Sequence, residues 1–125
     1  TPFGIINGRD GLYLAKVEFT HNLWQLVIYL FVNTKNCSKG KISDDSRLKL
    51  TFTGVLATKI IEIDSWDWNS ASCIDEVKDS DWIVSLGGKI TKEHRHYFVQ
   101  TYDDVFDVVC TQMDILLIKE EQAWY

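Results

Sequence analysis

Two histidines stand two positions apart in EHRHYFVQTYDD (93–104), namely His94 and His96, and Asp103, Asp104 and Asp107 follow close behind. On an extended segment that spacing is ~6.6 Å along one face. The two imidazoles could share a zinc or iron ion, provided a third ligand came from afar. Glu93 would point to the opposite face, and His21 is the one other histidine. The plainer reading is a wet strand face on which both histidines flank Arg95. Neighbouring carboxylates can push a pKa upward and so make a general acid. Here, however, Asp103 and Asp104 fall in a turn sequence, where aspartate commonly serves backbone geometry. There is no phosphate-cradling glycine loop, no nucleophile elbow and no HExxH, so neither an enzyme nor a cofactor is expected.

The other chemistry-bearing stretch is 62–82. It carries Glu62, Asp64, Asp67, Asp75, Glu76, Asp79 and Asp81 against Lys78, together with Trp66, Trp68 and Trp82, three of the five tryptophans. Aromatic anchors ringed by charge of one sign are what a specific interface uses: tryptophan supplies buried area, and the acids steer a basic partner into register. These ten residues are the candidate partner-binding set. Trp66 and Trp68 alternate with Asp67, so both could instead face the core at a strand end. The charge balance is lopsided in the same sense. Residues 1–61 hold eight Lys/Arg against four Asp/Glu, and 62–125 hold five against fourteen. Affinity for nucleic acid needs concentrated positive charge, so a basic protein is the expected partner and nucleic acid is not.

The elements that must position these residues read as strands. Tyr13, Ala15, Val17 and Phe19 share one face of an extended segment, with Lys16 and Glu18 on the other. Turn residues Thr20–Asn22 follow, and then LWQLVIYLFV, a strand buried on both faces. Residues 33–47 are polar and form a loop with a mildly basic tip at Lys35, Lys39, Lys41 and Arg47. Leu48, Leu50 and Phe52 alternate with Lys49, Thr51 and Thr53 until Gly54 breaks the phase where a bend would fit. A strand near 55–63 comes next, then a loop with one helical turn at 72–77 capped by Ser72. A short strand at 82–86 and a Gly87-Gly88 turn follow. His94–Thr101 and Val105–Cys110 form a hairpin around Tyr102-Asp103-Asp104. A helix across 103–117 is the rival there, and 113–118 could be a strand or a short helix.

With 125 residues, the chain is one domain, 1–125, and too short for two separate cores. The fold class expected is mainly β, an antiparallel sandwich or partly open barrel of six to eight strands with little helix; the alternative is α+β with the helix near 103–117. The longest apolar run, Leu26–Val32, is strand length, so no membrane span is expected. The chain does not open with a basic stretch followed by an apolar one, and a cytoplasmic location is expected. Cys37, Cys73 and Cys110 are odd in number, far apart and without CxxC pairing. Cys110 should pack in the core, with the other two as free thiols in loops.

The segment HYFVQTYDDVFDVV (His96 to Val109) resembles the closing hairpin of small bacterial β-rich proteins, in which a tyrosine strand, an acidic turn and a "VF-acid-VV" strand recur. Some of these resemble immunity proteins encoded beside polymorphic or contact-dependent toxins. The resemblance covers residues 96–109 alone and transfers no interface residue. It implies a cytoplasmic, non-catalytic protein that binds and neutralises one toxin domain. A nuclease-like toxin must be basic to hold phosphate, and an acidic inhibitor can occlude its cleft. The alternatives are a metal-dependent enzyme centred on His94 and His96, and a β-barrel with an apolar pocket for a small ligand.

Overall fold

The computed structural model describes residues 1–20, 24–39, 47–65 and 72–118. Among them the chain forms β1 (Leu12–Thr20), β2 (Gln25–Val32), β3 (Arg47–Thr53), β4 (Ala57–Glu62), β5 (Ile74–Val77), α1 (Asp81–Leu86), β6 (Arg95–Gln100), β7 (Asp104–Cys110) and β8 (Gln112–Ile118). The strands make two four-stranded antiparallel sheets, ordered β1-β2-β3-β8 and β4-β7-β6-β5. The fold is therefore a mainly β sandwich with little helix, and the sheets do not close into a barrel. No described helix is long and apolar enough to cross a membrane.

Alternation builds the central core. Leu48, Leu50 and Phe52 of β3 and Ile28 and Leu30 of β2 face Val99 of β6 and Phe106, Val108 and Cys110 of β7, all buried in one cluster. The Phe52 and Tyr97 rings lie 6.2 Å apart across it. Gly54 ends β3 at φ +66, and a Cβ there would stand 2.3 Å from Thr111 Oγ1, so both conformation and space require glycine.

Three local expectations are corrected, and one alternative is set aside. In β1 the register slips between Leu14 and Lys16. This bulge at Ala15 turns Leu14 and Val17 toward the core and leaves Tyr13 exposed. Residues 74–77 are not a helical turn but strand β5, paired with β6 from Ile74↔Val99 to Val77↔His96. Ser72 turns its hydroxyl onto Ile74, donating to its carbonyl at 2.7 Å, and opens the strand. Conversely, 82–86 is not a strand but the body of α1. Ser80 caps it, with its Oγ accepting from Ile83 N, and Gly87 ends it at φ +72. The residues offered as the rival helix, 103–117, are β7 and β8, each with a neighbour to pair with. Of the turn Thr20–Asn22 only Thr20 is among the described residues, and of the basic loop tip Lys35, Lys39 and Arg47 are, while Lys41 lies outside them.

The second face of the β4-β7-β6-β5 sheet matters most for the site. Tyr97 and Val99 point into the sandwich, so His96 and Phe98 point out on β6, as do Val105, Asp107 and Val109 on β7. Phe98, Val105 and Val109 are nevertheless buried. Above His96 on this face lies α1, with the Trp82 ring edge-on to His96 at 5.1 Å and Lys59 Nζ of β4 4.6 Å from the Trp82 ring.

Candidate functional site

A buried acid in the middle of a sheet needs a partner, and Asp107 has one. The register pairs His96 with Val109 and Phe98 with Asp107, so His96 and Asp107 are diagonal neighbours on the face beneath α1. His96 Nε2 lies 2.6 Å from Asp107 Oδ1. On the other side of the ring, His96 Nδ1 lies 2.8 Å from Ser80 Oγ. The His96 and Asp107 side chains are 8% and 6% exposed, which marks the pair as desolvated. A neutral imidazole with its proton on Nε2 satisfies the whole chain: Nε2–H donates to the Asp107 carboxylate and Nδ1 accepts from the Ser80 hydroxyl. Ser80 Oγ in turn accepts from Ile83 N at 3.2 Å.

Each member is held by a different local device. Asp107 and His96 sit on paired strands. Ser80 is placed by the turn that carries the chain from edge strand β5 over the sheet face into α1. Asp79, in that turn, adopts φ +52, a left-handed conformation that aspartate tolerates better than most residues. The ring of His96 is further fixed by Trp82. Hydroxyl, imidazole and carboxylate thus form a directed hydrogen-bond chain on rigid elements, the arrangement from which a nucleophile is made.

The chain is not sealed. Ser80 and His96 line an open pocket of about 510 Å³ together with His94, the apolar Val77, Ile83 and Val84, and a charged wall that includes Glu76, Lys78 and Arg95. Glu76 ties that charged wall together, 3.0 Å from Lys78 Nζ and 3.7 Å from Arg95 Nε. Arg95 also donates to the Lys92 and His94 carbonyls.

His94 does not join His96 on the strand. It lies in the preceding turn, where its Nδ1 accepts from Thr91 N at 3.0 Å, and both ring nitrogens of His96 are engaged by Ser80 and Asp107. Among the described residues, no three His, Cys, Asp or Glu side chains converge as a metal site would require. The wet histidine face is likewise corrected: His96 is buried because α1 covers it.

The acidic segment is divided by the sheet order. Asp75 and Glu76 lie on β5, with Asp79 and Asp81 just beyond, whereas Glu62 and Asp64 lie at the end of β4. These are opposite edges of a four-stranded sheet, roughly 14 Å apart at the usual strand spacing. Asp64 is paired there with Arg9 at 2.8 Å. Trp82 is not a free anchor but docks on His96. Trp66, Asp67 and Trp68 lie outside the described residues.

Cys110 is buried in the core as expected, and Cys73 is a free thiol in the bend before β5, as expected of a loop cysteine, but is buried too. Burial pushes both thiols up to about 11, which makes them poor nucleophiles near neutral pH. Sequence reasoning missed Ser80 and the role of Asp107. Two signals were present: an acid inside the otherwise apolar VFDVV, and a Ser-Asp pair heading an apolar turn. Comparison of the chain with protein-family models, curated proteins and solved structures gives no match.

Proposed function

We propose that this protein is a binding module that captures a basic protein domain, as an immunity protein captures a nuclease-like toxin. The observation that carries the reading is the concentration of Asp75, Glu76, Asp79 and Asp81 on one sheet edge and the turn leading from it. An edge strand offers unpaired backbone groups to a partner, and carboxylates around it steer a basic surface and reject an acidic one. Capture by occlusion requires no chemical step on the partner. The hairpin that resembles immunity proteins supplies β6 and β7, the inner strands of this sheet, and so serves as scaffold rather than contact surface.

The partner to test is a basic toxin domain encoded next to this protein's gene, with its affinity measured by calorimetry. Asp75→Lys with Asp81→Lys reverses the edge charge at two exposed positions while leaving the left-handed Asp79 in place. Binding should weaken by about 10- to 100-fold, on the order of 1–3 kcal/mol for two edge charges, and more steeply at low salt. Unchanged affinity at 50 mM salt would remove the β5 edge as the binding surface.

A further inference from the structure

We propose that Ser80 is an activated nucleophile and that the pocket it lines admits small carboxylic esters, whose acyl group it takes up. The inference is independent of partner capture, since it rests on the Ser80–His96–Asp107 chain and not on edge charge. Ser80 Oγ is 2.8 Å from His96 Nδ1, within reach for proton transfer, and the opposite nitrogen is held at 2.6 Å by Asp107. Relative to the serine-protease template, the two ring nitrogens have exchanged partners. Either nitrogen of an imidazole can take up a proton while the other donates, so the exchange leaves the chemistry available.

Two further observations favour a reactive role over a purely structural one. Ser80 needs only Ile83 N–H to cap α1, and a buried histidine–carboxylate pair is costly to desolvate where an apolar pair would pack as well. Ser80 and His96 also line a pocket of about 510 Å³, within the range of roughly 300–1,000 Å³ common to small-molecule sites. Val77, Ile83 and Val84 offer an apolar wall for a short acyl chain.

The steps balance without an added co-reactant other than water. Ser80 Oγ attacks the ester carbonyl carbon, and its proton passes to His96 Nδ1, giving an imidazolium paired with Asp107. The carbon–oxygen bond to the leaving group breaks, and the departing oxygen takes the proton from Nδ1. Water then attacks the acyl-serine, giving its proton to the same nitrogen. The acid is released as that proton returns to Ser80 Oγ. The ester oxygen of the intermediate can still accept from Ile83 N–H, so α1 stays capped throughout.

The test incubates the full chain with p-nitrophenyl acetate and, separately, with a fluorophosphonate, and reads adducts by intact mass and peptide mapping. One fluorophosphonate adduct per chain on Ser80 is expected, and p-nitrophenolate release should run past one equivalent as the acyl-serine hydrolyses. Ser80→Asn, which keeps a good helix cap, should take up none, and Asp107→Asn should react at least tenfold more slowly while its circular dichroism matches wild type. A wild-type protein left unmodified by the fluorophosphonate, a fluorophosphonate adduct mapped elsewhere, or an Asp107→Asn variant that reacts at the wild-type rate would each overturn the proposal. None of these outcomes depends on whether the acidic edge binds a partner.

Discussion

Replacing Asp107 by alanine isolates the energetics of the layer beneath α1. The carboxylate accepts a hydrogen bond from His96 Nε2 at 2.6 Å with both side chains nearly excluded from water. A hydrogen bond to a charged group contributes about 1.5–3 kcal/mol. Removing one partner of a buried pair costs about 3–5 kcal/mol, because the other is left unpaired. Here the survivor is an imidazole that can remain neutral, so the lower end applies, and Asp107→Ala should cost about 3 kcal/mol. Asp107→Asn keeps a neutral acceptor at the same place and should cost about 1 kcal/mol, the scale of an ordinary hydrogen bond. Urea denaturation at pH 7.5 measures both, with an unchanged m-value as the check that only stability moved. Hydrogen exchange at Ile83 N–H adds a local reading, since α1 should open more readily once His96 swings free of Ser80. If both variants fall within about 0.5 kcal/mol of wild type, the pair is solvated in solution. The account of His96 as a buried pivot would then be wrong.

Two smaller predictions concern backbone and pH. Asp79 holds φ +52, so Asp79→Val should cost about 1–2 kcal/mol, the scale of a left-handed conformation for a β-branched residue, while Asp79→Gly should be neutral or slightly stabilising in thermal unfolding. On the alkaline side, burial holds the Cys73 and Cys110 thiols up to about 11, and the Tyr29 phenol is pushed up to about 12, chiefly by its hydrogen bond to Glu18. All three are raised above their unfolded values, about 8.5 for cysteine and about 10 for tyrosine. Their contribution is therefore complete at neutral pH and is lost as pH climbs through the folded values. The urea midpoint should fall steadily from about pH 9 to 12, and a flat profile over that window would contradict the burial of these groups.

The strands were largely legible because their period survives in the sequence. Leu48, Leu50 and Phe52 occupy the positions that alternation assigns them, Gly54 makes its bend, and the hairpin from His96 to Cys110 turns at Tyr102-Asp103-Asp104. Where the reading failed, two local signals competed. Ser72 and Ser80 both precede an acid and an apolar run, and either could have capped a helix. Ser72 opens β5 and Ser80 caps α1, because residues 74–77 find an edge of β6 to pair with and residues 81–86 lie where the chain must cross the sheet face.

The candidate site was the least legible part. Sequence alone groups His96 with His94 as a ligand pair or a wet face, and Asp107 with the turn acids Asp103 and Asp104 as a carboxylate cluster, because neighbours in sequence are what a sequence displays. Their partners lie 16 and 11 positions away in the chain. The sequence by itself determined the alternation, the turn points and the excess of acid in the second half, since these follow from side-chain chemistry and a strand period of two. The tertiary structure alone decided that the acids divide between opposite sheet edges and that a short helix closes over one face. It also brought a serine, a histidine and an aspartate from three separate elements into one line, through strand register and packing that no local pattern encodes.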